Sequence, residues 1–164
     1  MSNPYPVPAI YSPRIAVASV PAWSRLLSTV IAAGCLAVLI TATKLQPSPT
    51  GVGTHTELGM YPCALLAQTG IPCPTCGMTT SFAWFVRGNW LASFYIQPMG
   101  FVLAVLTVAG FWTAAYVAVS GRGVYRLLQF IPPRYYAVPL VSWAILAWAW
   151  KIYIHLHGLD GWSS

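Results

Sequence analysis

Two of the chain's four cysteines lie in the segment Cys-Pro-Thr-Cys-Gly, residues 73–77, and a third, Cys63, precedes it. Two intervening residues allow the sulfur atoms of Cys73 and Cys76 to face one point, which suits a disulfide or a tetrahedral metal ion. We expect Pro74 to occupy the first position of a helix, where its missing N–H costs nothing. A cysteine at a helix start has a lowered pKa and favours the thiolate. This segment is therefore the candidate site for chemistry.

One interpretation of the segment is a membrane thiol–disulfide oxidoreductase. Enzymes of this kind use the same spacing, with Cys73 as the more exposed attacking thiolate and Cys76 as the resolving thiol. Two features of the sequence oppose it. No thioredoxin-like βαβ pattern is present, and a quinone-linked oxidase built as a helix bundle normally needs a second cysteine pair, whereas Cys63 alone remains in the same loop.

A second interpretation is a zinc site. Cys-Pro-x-Cys-Gly also forms the knuckle of zinc ribbons, in which the glycine permits a tight turn. A closed structural zinc site needs four ligands. Cys63 and His55 are the further candidate ligands beside Cys73 and Cys76, although they do not form a second knuckle.

The third interpretation, and the leading one, is structural. A disulfide between Cys73 and Cys76, or between Cys63 and either of them, would hold the loop in place, as would simple packing of the thiols. General acid–base chemistry is not indicated, because Glu57 and Asp160 are the only acidic residues and lie far apart in the sequence. The sequence thus assigns no catalytic residue and no cofactor, with zinc as the exception that the cysteines leave open.

The elements that position these residues follow from a very low charge content. Charged residues make up 6% of the 164 residues and hydrophobic residues 57%, whereas a soluble domain has roughly a quarter charged residues. A helix that crosses a bilayer needs about 20 mostly apolar residues. We predict an all-α membrane protein with three spans, at about residues 26–43, 97–120 and 135–154. The last span requires Lys151 to extend from the helix end toward the lipid headgroups.

The other segments complete the predicted domain organisation. Residues 1–22 are rich in proline without apolar periodicity and predict a disordered arm. The helical membrane domain covers residues 23–157, its cysteine loop residues 44–96, and a tail follows at 158–164. Within the loop, Met78 to Arg87 shows helical spacing and predicts a short interfacial or re-entrant helix that carries the cysteine turn. Cys35 lies inside the first span and is interpreted as a small packing residue.

The net charge of +6 does not indicate a nucleic-acid partner. The basic residues are scattered and form no run or stripe that could follow a phosphate backbone. Under the positive-inside rule they orient the spans, with the larger group in the cytoplasm. That group is Arg14, Arg25, Arg122, Arg126 and Arg134, and the smaller one is Lys44, Arg87 and Lys151. The cysteine loop is then expected outside the cytoplasm, with the lipid bilayer as one partner and another membrane protein as a candidate.

The cysteine segment and its surroundings resemble a known family. Tyr61-Pro62-Cys63, the run from Thr69 to Thr79 and the later Gln97-Pro98 are similar to small bacterial membrane proteins catalogued as domain of unknown function 2752, which carry a Cys-Pro-x-Cys-Gly-Met-Thr motif. The similarity covers about residues 58–105. Thr80 and Gln97 stand where the commonest form of the family has Arg and Asn. The resemblance implies a compact helical module of a bacterial inner membrane, and we expect a structural or accessory role.

Overall fold

The computed structural model describes residues 20–123 and 134–162, and the regular secondary structure within these ranges is helical. The all-α class predicted from the sequence is confirmed. The arm predicted over residues 1–22 lies outside the described residues as far as residue 19. The elements are α1 (Ala22–Lys44), a 3₁₀ helix (Thr54–Leu58), α2 (Ala64–Thr69), α3 (Met78–Val86), α4 (Trp90–Ile96), α5 (Pro98–Ser120) and α6 (Arg134–Leu156).

Three of these helices are long and apolar enough to cross a membrane, at Ala22–Lys44, Pro98–Ser120 and Ala137–Leu156. Only 6%, 11% and 17% of their respective apolar windows is buried inside the protein, so most of the apolar surface faces outward. Such a surface is unfavourable in water and favourable in lipid. The predicted three spans are confirmed, and by the length and composition of its helices this is an integral membrane protein.

Helices α1 and α5 pack along one another. Cys35 of α1 takes part in this contact, since a Cβ atom added to Gly110 would lie 3.8 Å from its Sγ atom, in agreement with the predicted packing role. At one end of the pair, the Arg25 guanidinium donates to the carbonyl oxygen of Ala118 at 3.1 and 3.2 Å. The start of α1 and the end of α5 therefore lie on the same side of the membrane, and the cysteine loop lies on the other.

The loop between α1 and α5 is folded onto the spans by α3 and α4, which pack against each other and against α5. Helix α3 confirms the short helix predicted from Met78 to Arg87, ending one residue earlier at Val86. The Ser81 hydroxyl of α3 is buried and donates to the carbonyl oxygen of Ser93 at 2.9 Å. A Cβ atom added to Gly100 would lie 2.8 Å from the Ser81 Cβ atom. The absence of a side chain at Gly100 thus allows α5 to approach α3 closely.

The predicted extension of Lys151 toward the headgroups is wrong. Its side chain is fully buried, and Nζ donates to the carbonyl oxygen of Gly51 at 3.1 Å and lies 3.5 Å from Oδ2 of Asp160. The segment predicted as a tail turns back after α6 and brings this carboxylate to the lysine. A buried ammonium group is far more stable with a paired carboxylate than without one, so the charge stays inside the protein.

Candidate functional site

The structure brings Cys63, Cys73 and Cys76 together, with all three Sγ atoms within 4.8 Å of one another. The Sγ atoms of Cys73 and Cys76 are 3.2 Å apart. Cys63 immediately precedes α2, whereas the other two belong to the turn before α3. The sequence offered Cys63 only as one alternative partner for a disulfide or a zinc ion. In the structure its sulfur atom lies within 4.8 Å of both of the others and forms a group of three thiols with them. We call these three residues the thiol cluster.

His55, the fourth residue predicted as a possible zinc ligand, lines a pocket together with the three cysteines but lies outside the thiol cluster. Its Nε2 atom lies 3.2 Å from the carbonyl oxygen of Tyr61. Among the described residues, the structure therefore assembles three of the four predicted ligands.

Residues 74–77 form a turn and not the first turn of a helix. The N–H of Cys76 donates to the carbonyl oxygen of Cys73 at 3.0 Å, and the N–H of Met78 donates to that of Thr75 at 3.1 Å. Gly77 has a φ of 83°, a left-handed conformation that interrupts an α-helix. The helix start predicted at Pro74 is therefore wrong, and α3 begins at Met78.

The cysteine turn is held from outside by two side chains that the sequence did not single out as site residues. Gln97, at the start of α5, donates its Nε2–H to the carbonyl oxygen of Pro74 at 2.8 Å. Trp148 of α6 donates its indole N–H to the carbonyl oxygen of Pro72 at 2.9 Å. The membrane spans thus fix both sides of Cys73. No local pattern predicts these contacts, because each joins residues far apart in the chain.

The thiols of the cluster differ in acidity. The backbone N–H of Leu66 stabilises the anion of Cys63 and is the main reason that the pKa of this half-exposed thiol falls to about 7, with a further contribution from the other two cysteines. Burial raises the pKa of the Cys76 thiol to about 12, and its interactions with Cys73 and Cys63 add to the rise. Cys63, immediately before α2, is therefore the thiol of the cluster whose pKa is lowered, whereas Cys76 remains a protonated thiol near neutral pH.

Lys151 lies directly behind the cysteine turn. A Cβ atom added to Gly77 would be 3.2 Å from its Nζ and Cε atoms. A buried cation, already paired with Asp160, thus lies on the side of the thiol cluster that faces the protein interior.

The other side of the thiol cluster faces an open pocket of about 670 Å³. The last turns of α1, including Val38 and Ala42, form one wall, and α3 contributes Phe82. Most of the lining is apolar, and its volume is in the range of sites that bind small molecules. The sequence did not predict this pocket, because it forms between a span and a folded loop.

Comparisons with known proteins agree with the resemblance of the cysteine segment. No curated protein and no solved structure matches the chain significantly. Residues 63–111 match the model of a family described as "Protein of unknown function (DUF2752)". The matched segment begins at Cys63 and contains the whole thiol cluster, α3, α4 and the first half of α5. The family indicated by the sequence is thus the family whose model matches the part of this chain that carries the candidate site.

Proposed function

We propose that this protein is a membrane thiol–disulfide oxidoreductase whose redox site is the thiol cluster. The observation that carries the proposal is the mutual proximity of the three Sγ atoms. The 3.2 Å separation of the Cys73 and Cys76 sulfur atoms must shorten by about 1 Å to reach the length of a disulfide bond. Cys63 supplies a third thiol, so that disulfide exchange can pass between this thiol and the Cys73–Cys76 pair within one loop.

We infer the order in which the thiols react from their different acidities. Cys63, half-exposed and with a pKa of about 7, attacks a partner disulfide, forms a mixed disulfide and releases one partner thiolate. Cys73 then attacks the Cys63 sulfur atom and releases the second partner thiolate. Cys76 finally attacks Cys73 while its proton passes to the departing Cys63 sulfur atom, which moves the disulfide to the buried pair and frees the Cys63 thiol. Each step exchanges one S–S bond for another, and the reverse sequence oxidises a partner dithiol.

The proposed cellular setting suits this chemistry. We place the cysteine loop on the outer face of a bacterial inner membrane, where protein disulfides form and persist. Support comes from the grouping of Arg25 with the end of α5, opposite the cysteine loop, together with the positive-inside rule.

Redox titration of the full-length chain tests the proposal. In detergent solution, thiols are counted by alkylation and mass spectrometry in glutathione buffers between about −320 and −180 mV. We expect one disulfide to form and break reversibly within the thiol cluster. In the Cys73→Ser/Cys76→Ser variant, glutathione should remain attached to Cys63, because no resolving thiol is left. Cys35→Ser, which changes a cysteine outside the cluster, should titrate as the unmodified chain does.

A disulfide that stays oxidised over this entire range would contradict the redox proposal. It would instead support the structural role, in which the cysteines hold the loop on the membrane surface.

The spacing of the sulfur atoms also favours a second candidate function, zinc binding. Zinc binds thiolates at about 2.3 Å, so that neighbouring sulfur ligands of a tetrahedral site lie about 3.8 Å apart. Three sulfur atoms lie within 4.8 Å of one another, and the Cys73 and Cys76 sulfur atoms, 3.2 Å apart, would have to separate by about 0.6 Å to reach that distance. One zinc per chain, lost from Cys63→Ser but kept by Cys35→Ser, would support this function over the redox cycle.

A further inference from the structure

The pocket beside the thiol cluster is lined both by residues of a membrane span and by the three cysteines. One wall consists of α1 residues that belong to a membrane span, among them Ala37, Val38 and Ala42. The lining also contains the three cysteine side chains of the thiol cluster. The pocket therefore places an apolar space at the end of a membrane helix in contact with thiols that can release two electrons.

The lining limits the class of molecule that fits. Among the described residues that line the pocket, none is Asp, Glu, Lys or Arg. A highly charged electron acceptor such as a dinucleotide would lose hydration there without gaining an ion pair. A neutral, lipid-soluble acceptor of two electrons and two protons meets no such penalty, and it can enter from the bilayer next to α1.

We propose that the pocket binds the ring of an isoprenoid quinone, which oxidises the thiol cluster. This inference rests on the proposed thiol–disulfide function and sets its direction. Two cluster thiols lose their protons and form one S–S bond, while the quinone takes up two electrons and two protons and leaves as the quinol. The oxidised cluster then oxidises a partner dithiol by exchange.

Anaerobic oxidation of the reduced, full-length chain in lipid nanodiscs tests this inference. Decylubiquinone is the probe, because its fully substituted ring does not add thiols and a loss of thiols then reports electron transfer. We expect one quinol for every two cluster thiols lost. Val38→Trp fills the pocket from α1 and should slow the reaction at least tenfold. Leu39→Trp is the matched control, because Leu39 is the next residue of α1 and lines a different groove. The rate of quinol formation in this variant should stay within twofold of that in the unmodified chain.

Two controls show whether a slow reaction reflects the filled pocket and whether quinol formation depends on the cluster thiols. The thermal unfolding midpoint verifies that Val38→Trp is folded, and a variant with all three cluster cysteines changed to serine should produce no quinol. Exchange with glutathione without quinol formation would overturn the quinone inference and leave the proposed function intact. Quinol formation at equal rates in both tryptophan variants, or in the triple serine variant, would overturn it as well. Loss of both reactions in the unmodified chain would overturn the inference and the proposed function together.

Discussion

Nζ of Lys151 lies 3.5 Å from Oδ2 of Asp160, and the lysine side chain is fully buried. The same carboxylate oxygen lies 2.6 Å from Nδ1 of His155. Because Nζ also donates to the carbonyl oxygen of Gly51, one cation joins the third span, the segment that follows it and the loop after the first span. These three segments meet behind the cysteine turn, so the pair stabilises the part of the fold that carries the thiol cluster.

Asp160→Asn should therefore destabilise the protein strongly. Loss of the carboxylate leaves a buried ammonium group without its counter-charge, which costs about 3 kcal/mol or more. We expect a clear fall in the thermal unfolding midpoint in detergent. Glu57→Gln, a change at the other acidic residue of the chain, which is exposed, should have little effect. In Lys151→Met/Asp160→Asn both charges are removed, and the midpoint should recover in part. Equal midpoints for Asp160→Asn and Glu57→Gln would show that the pair contributes no stability.

The reactivity of Cys63 should follow a pKa of about 7. In a variant with Cys35, Cys73 and Cys76 changed to serine, the Leu66 N–H is retained, so alkylation by iodoacetamide should have a half-maximal pH below the ordinary cysteine pKa of about 8.5. Below the half-maximal pH the sulfur is protonated and the rate falls about tenfold per pH unit, and above it the rate levels off. In the matched variant, Cys76 is the only cysteine. Its alkylation rate should still be rising at pH 9, because burial raises the pKa of that thiol to about 12. Half-maximal alkylation of Cys63 near the ordinary cysteine pKa of about 8.5 would contradict the assigned order of reaction.

The spans could be predicted from the sequence because they depend on local composition. A charge-free apolar segment of sufficient length has to be helical in a bilayer, since each backbone N–H and C=O group needs a partner within the segment. The short helix α3 was predictable for a similar reason, because its apolar residues recur at helical spacing. Cys35 could also be interpreted correctly, as a small residue within a span.

The assembly of the site could not be predicted in the same way. Lys151 was expected at the headgroups because its pairing with Asp160 requires the chain to turn back after α6, and no periodicity indicates such a turn. The helix start at Pro74 was wrong because the left-handed backbone of Gly77 outweighs the preference of proline for a first helical position. Cys63 joins the cluster through the path of the whole loop, and that path depends on tertiary contacts such as the one between Gln97 and Pro74.

Gly77→Ala should disrupt the cysteine turn for two reasons, the cost of an alanine in a left-handed conformation and a steric clash of its methyl group. Gly77 and Gly70 both have left-handed backbones, with φ of 83° and 69°, and an alanine costs about 1–2 kcal/mol at such a position. A Cβ atom at Gly77 would also lie 2.7 Å from the carbonyl oxygen of Gly51, whereas nothing lies within 4 Å at Gly70. We expect Gly77→Ala to lower the unfolding midpoint further than Gly70→Ala and to speed alkylation of Cys76. Similar unfolding midpoints for the two variants would show that the cysteine turn shifts to accommodate the added methyl group without a loss of stability.

Gln97→Leu should loosen the cysteine turn and leave the spans unaltered. The change removes the donor to the carbonyl oxygen of Pro74, which lies 2.8 Å from Nε2, and a hydrogen bond of this kind contributes about 1 kcal/mol. The open state of the turn then becomes about fivefold more populated, and alkylation of the buried Cys76 thiol should accelerate by the same factor at a pH above 8. Gln68→Leu makes the same change at an exposed position of α2 and should leave the rate unaltered. An unchanged rate in Gln97→Leu would mean that the contact between Trp148 and Pro72 is sufficient to hold the turn closed.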